Sequence, residues 1–204
     1  MANLRFTKGE LKRQRDALKQ YERYLPTLVL KKQQLQLEIL HQYSVLEERK
    51  VTLTAKEKSS ESWLGLLVEF SAIRPWLKPR QVMTSTRNVA GVDLPVFEGV
   101  DFEPAEYDLF LVPLWVDSGL EALRGIVSLR EEIRIIEQGA SILKQELRIT
   151  TQRVNLFEKV KIPEAKEAIR LIKIYIGDQM ANAVGRSKIA KKKIETLELA
   201  EASV

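Results

Sequence analysis

A chain of 204 residues, 45% hydrophobic and 30% charged, can bury substantial apolar surface, and only nine Gly and seven Pro favour long helices over a loop-rich fold. The absence of Cys excludes disulfides and thiolate metal sites and fits a reducing, cytoplasmic compartment. The longest apolar runs, such as Leu109 to Val116, are too short to span a bilayer, so a soluble protein without direct membrane insertion is expected. The net charge of +5 is unevenly placed: Met1 to Leu25 and Gly185 to Glu195 are basic, while Gly91 to Asp108 holds acids and no Lys or Arg.

Residues 1–73 read as an N-terminal coiled-coil helix. Asn3 or Thr7 is a candidate cap for it, and Thr7 with Glu10 three residues later has the pattern of a capping box. Leu4, Leu11, Leu18, Leu25, Lys32, Ile39, Leu46 and Leu53 then recur at heptad spacing, beside a companion column of Gln14, Tyr21, Leu28, Leu35, Gln42 and Arg49. Pro26 falls inside this run without changing its register, which predicts a kink and not an end. The pattern is expected to continue through a dense apolar cluster, Trp63 to Phe70, until Arg74-Pro75 and Lys78-Pro79 stop it.

Residues 74–117 change in character and read as a small insert. Leu94 to Phe97, Glu98-Gly99 and Val100 to Phe102 suggest a short hairpin, with Tyr107 to Val112 as a candidate third strand. An insert this small should rest on the helix ends, floored by Trp63, Trp76 and Trp115.

Residues 118–204 read as a C-terminal coiled-coil helix capped by Asp117 or Ser118. Leu129, Ile136 and Leu143 form one column, and Ile126, Ile133, Ala140, Leu147 and Val154 the other. Near Pro163 the stripe resumes at Ala165, an 11-residue step that unwinds a left-handed coil locally. Ile169, Ile172, Ile176, Met180, Ala183, Val184, Ile194 and Leu197 carry it onward, past small residues including Gly177, Ala181, Gly185 and Ala190 that suit a slender end.

Two long amphipathic helices joined by a compact insert should fold back antiparallel into one elongated unit: a mainly α protein, a long two-helix coiled coil with a central β-hairpin. The seam would use Leu11, Leu18, Leu25, Ile39, Leu46, Leu53, Ile133, Leu147, Val154, Ile169 and Ile176. Both basic segments would meet at one tip, where Lys8, Lys12, Arg13, Arg186, Lys188, Lys191 and Lys192 are the candidate contact residues. The acidic insert would lie at the far end.

Reaction chemistry is not expected of this chain. It lacks the G-x-x-x-x-G-K-[ST] and G-x-G-x-x-G phosphate-binding patterns, and its one His, His41, lies on a coiled-coil helix. No catalytic, cofactor-binding or metal-binding residue is assigned. The basic tip carries interleaved acids and no aromatic placed to stack on bases, which disfavours nucleic acid.

Three segments together resemble a known family. Leu25-Pro26-Thr27 followed by Leu30-Lys31-Lys32, Gly91-Val92-Asp93-Leu94-Pro95, and Arg153-Val154-Asn155-Leu156 through Ile162-Pro163 are similar, in order, to signatures of the D subunits of the V/A-type rotary ATPases. Phe157 stands where small or leucine-like residues are common. The resemblance implies a non-catalytic central-stalk rotor subunit, peripheral to the membrane, that couples ATP hydrolysis or synthesis to proton or sodium translocation. The implied partners are the catalytic and regulatory head subunits of the A and B hexamer, the small F subunit of the central stalk, and a membrane-side socket subunit. The alternatives are a prefoldin-like coiled-coil chaperone, whose tips should be apolar where these are basic, and a basic coiled-coil adaptor.

Overall fold

The computed structural model describes residues 5–68, 73–108 and 112–201. The protein is mainly α: α1 (Lys8–Ser60), an antiparallel hairpin of β1 (Pro79–Val89) and β2 (Val92–Phe102), α2 (Trp115–Leu156), one π-helical turn (Phe157–Lys161), and α3 (Ile162–Glu201). The chain divides into two compact units, one of Met1–Val29 with Gln152–Val204 and one of Leu30–Thr151.

In the second unit, α1 and α2 pair antiparallel along apolar columns. Leu46, Leu129 and Ile133 form one buried cluster, with Leu53 and Ile136 packed against it. Cross-helix ion pairs fix the register: Lys31 with Glu146 at 3.0 Å, Arg49 with Glu132 at 2.8 Å, Lys50 with Glu137 at 2.9 Å, and Arg130 with Glu57 at 2.6 Å. Each is partly exposed and contributes at most about 1 kcal/mol, so these pairs select alignment more than they stabilise it. The hydrogen bond that Lys50 donates to Glu137 raises the Lys50 pKa above its ordinary value.

α1 runs unbroken past Pro26 but ends at Ser60, well before the expected stop at Arg74-Pro75. Local side-chain bonding clusters at this end. Ser59 and Ser60 hydroxyls both donate to the Lys56 carbonyl, at 2.8 and 2.9 Å, and Ser62 donates to the Ser59 carbonyl at 3.3 Å. Such bonds compete with the helical ladder, and the apolar run that follows has no polar face to offer solvent. It folds instead into a 3-10 turn, Leu64–Val68. Within the Trp63 to Phe70 cluster, Glu69 and Phe70 lie outside the described residues.

The hairpin also differs from expectation. Its turn is Ala90-Gly91, both at positive φ (51° and 76°), flanked by the Val89 and Val92 pair. Positive φ at both central positions matches the twist of the flanking strands. Asn88 Oδ1 holds the turn by accepting the Gly91 N–H at 3.1 Å. Glu98-Gly99, expected as the turn, lies within β2 at a bulge, where Met83 pairs with Gly99 and Thr84 with Phe97. Of the candidate third strand, Tyr107 and Asp108 have no regular structure and Leu109 to Leu111 lie outside the described residues.

Nor does the insert rest only on helix ends. Leu94, 2% exposed, packs with Leu35, Ile39 and Leu143, and Val89, Ala90 and Val92 close around them. Roughly 38 Å of helix separates Leu35 from Ser60 at about 1.5 Å per residue. An 11-residue strand at about 3.3 Å per residue covers that distance. The hairpin therefore lies along the coil, and an Arg87–Glu38 ion pair pins its tip.

At the hairpin's base, Arg124 donates to the Trp76 and Glu103 carbonyls, at 3.2 and 2.6 Å, and stacks over Phe102. Ile73, Val116 and Leu120 form the buried floor there, with Trp76 and Trp115 against it. Gly119 lets the helix pack tightly here, because a Cβ would sit 3.0 Å from the Trp115 ring. α2 begins at Trp115, two residues before the earlier of the expected caps. Asp117 falls in the first turn, where a carboxylate suits the helix dipole, and accepts the Tyr107 hydroxyl.

Candidate functional site: an unpaired basic helix end

The first unit holds the residues that the sequence singles out as a contact tip. Thr7 caps α1 by accepting the Glu10 N–H at 3.2 Å. The return half of a capping box is absent, because the Glu10 carboxylate accepts from Gln14 at 2.7 Å instead. α1 and the 152–201 segment pair antiparallel. Tyr21 meets Phe157 with ring centroids 5.4 Å apart, Phe6 meets Tyr175 at 5.1 Å, and Lys166 reaches Glu22 at 3.6 Å. Val154, Ala165, Ile169 and Ile172 are buried along this pairing. Leu11, Leu18, Leu25 and Ile176 are half-buried, so the packing is thinner here.

Among the described residues, the pairing reaches Phe6 and Tyr175. Residues 177–196 are exposed throughout, including Met180 at 57%, Val184 at 56% and Ile194 at 55%. The apolar stripe thus continues beyond the described pairing. Lys8, Lys12 and Arg13 are exposed on the paired first turns of α1. Arg186, Lys188, Lys191 and Lys192 lie on the bare part of α3, with Arg186 roughly 16 Å of helix beyond Tyr175. Arg186 also stands beside exposed apolar side chains, so a basic end does not argue against an apolar grip.

The remaining predicted seam residues divide by depth: Ile39, Leu46 and Ile133 are buried, while Leu53 and Leu147 are half-buried. The deepest positions, Leu35, Leu143 and Ile172 at 0% exposed, sit in columns that the heptad spacing marks. Leu94 and Val116 also reach the core, and no helical periodicity singles them out.

Charges along α3 pair locally or with α1. Glu167 accepts two hydrogen bonds from Arg170, at 2.7 and 2.8 Å, which lower the Glu167 pKa and raise that of Arg170. Among the described residues, no cluster of three or more His, Cys, Asp or Glu is placed to hold a metal ion. Nor is any described helix long and apolar enough to cross a membrane.

These features define a mainly α coiled-coil protein with a β-hairpin insert and a helix whose described distal residues are exposed. The chain belongs to the family of ATP synthase D subunits, whose pattern matches residues 10–192. It is similar to the V-type ATP synthase D subunit of Borreliella burgdorferi, 43% identical over 199 residues that cover 95% of this chain and 96% of that protein. The proteins of the same name from Chlamydia abortus and Chlamydia felis are 34% and 32% identical, each over 95% of both chains.

Proposed function

We propose that the chain is a non-catalytic rotor subunit in the central stalk of a V/A-type ATPase. It transmits rotation between a head of catalytic and regulatory subunits and a proton- or sodium-carrying membrane ring. Peripheral attachment on the cytoplasmic side follows from that role, as do contacts with a small stalk subunit and a membrane-side socket. The observation that carries this reading is the family match across nearly the whole chain.

The bare end of α3 supports it physically. A single helix about 10–12 Å across is slender enough to enter a ring of subunits, and its mixed apolar and basic surface offers contacts on every side without one deep complementary face. The paired stretches of helix behind it supply stiffness.

Removing Arg186 to Val204 tests the reading, because those residues are exposed wherever they are described and support no core. The truncated chain is expected to keep its melting temperature and to lose only the helical signal of the removed residues, while ATP-driven ion transport by the reconstituted complex is lost. Unchanged coupled transport would overturn the assignment of this end to the head.

A further inference from the structure

Two helix defects coincide in the first unit. Pro26 has no N–H, so the Glu22 carbonyl lacks its helical donor, and Pro163 likewise offers no N–H to the turn before it. The Tyr21–Phe157 ring contact, one residue from Glu22, sets the turn of α1 that lacks a donor against the turn that precedes Pro163. A π-helical turn, Phe157–Lys161, precedes Pro163, and the Ile162 N–H bonds to the Phe157 carbonyl.

The π turn answers a spacing problem. Phe157 and Ile162 are both half-buried. Five residues of α-helix would place them about 140° apart, and the wider turn returns both to one face. The seam is also thin at this level. No side chain between Val154 and Ala165 is fully buried, Leu156 and Val160 are 45% and 40% exposed, and the tilted Tyr21–Phe157 ring pair fills the gap.

We propose that this level, Glu22 to Pro26 opposite Phe157 to Pro163, is a compliant joint built into the paired helices, where both backbones open and twist more readily than on either side. Three independent features coincide there: missing donors in both helices, a non-α turn in one, and aromatic rather than interdigitated aliphatic packing. Use of the joint to buffer torque rests on the rotor reading; its existence does not.

Hydrogen exchange read by mass spectrometry on the full chain tests it. Amides of 157–163 should exchange about tenfold faster than those of both 143–153 and 166–173, a minimum that fraying from the exposed end of α3 cannot produce. Pro26→Ala restores the donor to Glu22 and should slow exchange in 157–163 as well as in α1, since the two defects share one packed level. Protection in 157–163 equal to its flanks would overturn the proposal, as would a Pro26→Ala effect confined to α1. Both measurements use the isolated chain, so they stand apart from the truncation experiment.

Discussion

Around Leu143 three segments converge: α1 through Leu35 and Ile39, α2 through Leu143, and β2 through Leu94, and Leu35 and Leu143 are 0% exposed. From Gly177 onward α3 carries apolar residues at similar helical spacing, yet Met180 and Val184 remain 57% and 56% exposed. An apolar stripe therefore records a demand for a partner and not its presence. At Leu143 the demand is met twice, by a second helix and by the hairpin laid over the pair. On distal α3 nothing among the described residues meets it, which is the state expected of a surface completed by another subunit.

The contrast is broken most directly by truncating one residue of each kind. Leu143→Ala should cost about 2–5 kcal/mol, because the closely packed site cannot collapse around the lost atoms. Met180→Ala should change stability by no more than about 0.5 kcal/mol, as for a surface substitution. Chemical denaturation of the two variants settles it: similar losses would mean that distal α3 is packed in solution.

A smaller effect sharpens the comparison at the hairpin's base. Gly119→Ala pushes a methyl group against Trp115 and should cost about 1–3 kcal/mol, as overpacking does. Gly177→Ala, in open space on exposed α3, should instead stabilise its helix by about 0.5–1 kcal/mol. Thermal melts of both variants should shift in opposite directions.

The smallest effect is a pH response. The hydrogen bond to Asp117 raises the Tyr107 pKa above 10.0, so the folded state favours the protonated phenol. Its contribution is fully present below the unfolded pKa and is lost as pH rises through the higher folded value. Wild type should therefore lose stability faster than Tyr107→Phe across the alkaline limb. Parallel curves would show that the contact is not formed in solution.

Much of the frame was legible in the residues. Heptad columns placed α1 and most of α2, and Thr7 marked the start of α1. The hairpin was harder to see, for a physical reason. β1 is dominated by Arg80, Gln81, Thr84, Ser85, Thr86, Arg87 and Asn88 and shows no apolar alternation, because only a few hairpin side chains, Leu94 foremost, reach the core. Its turn uses Ala90, which is not a usual residue at positive φ. Heptad spacing records which face is apolar, not how far a partner helix covers it.

Composition and periodicity by themselves determined that this chain makes long amphipathic helices interrupted by a small insert, since side-chain spacing along a helix is a local property. Only the tertiary structure decided that the hairpin folds back to Leu35, that the pairing reaches Phe6 and Tyr175, and that a π turn precedes Pro163. Each depends on which surfaces meet across long separations in the chain, and burial between distant segments leaves no periodic trace in either one.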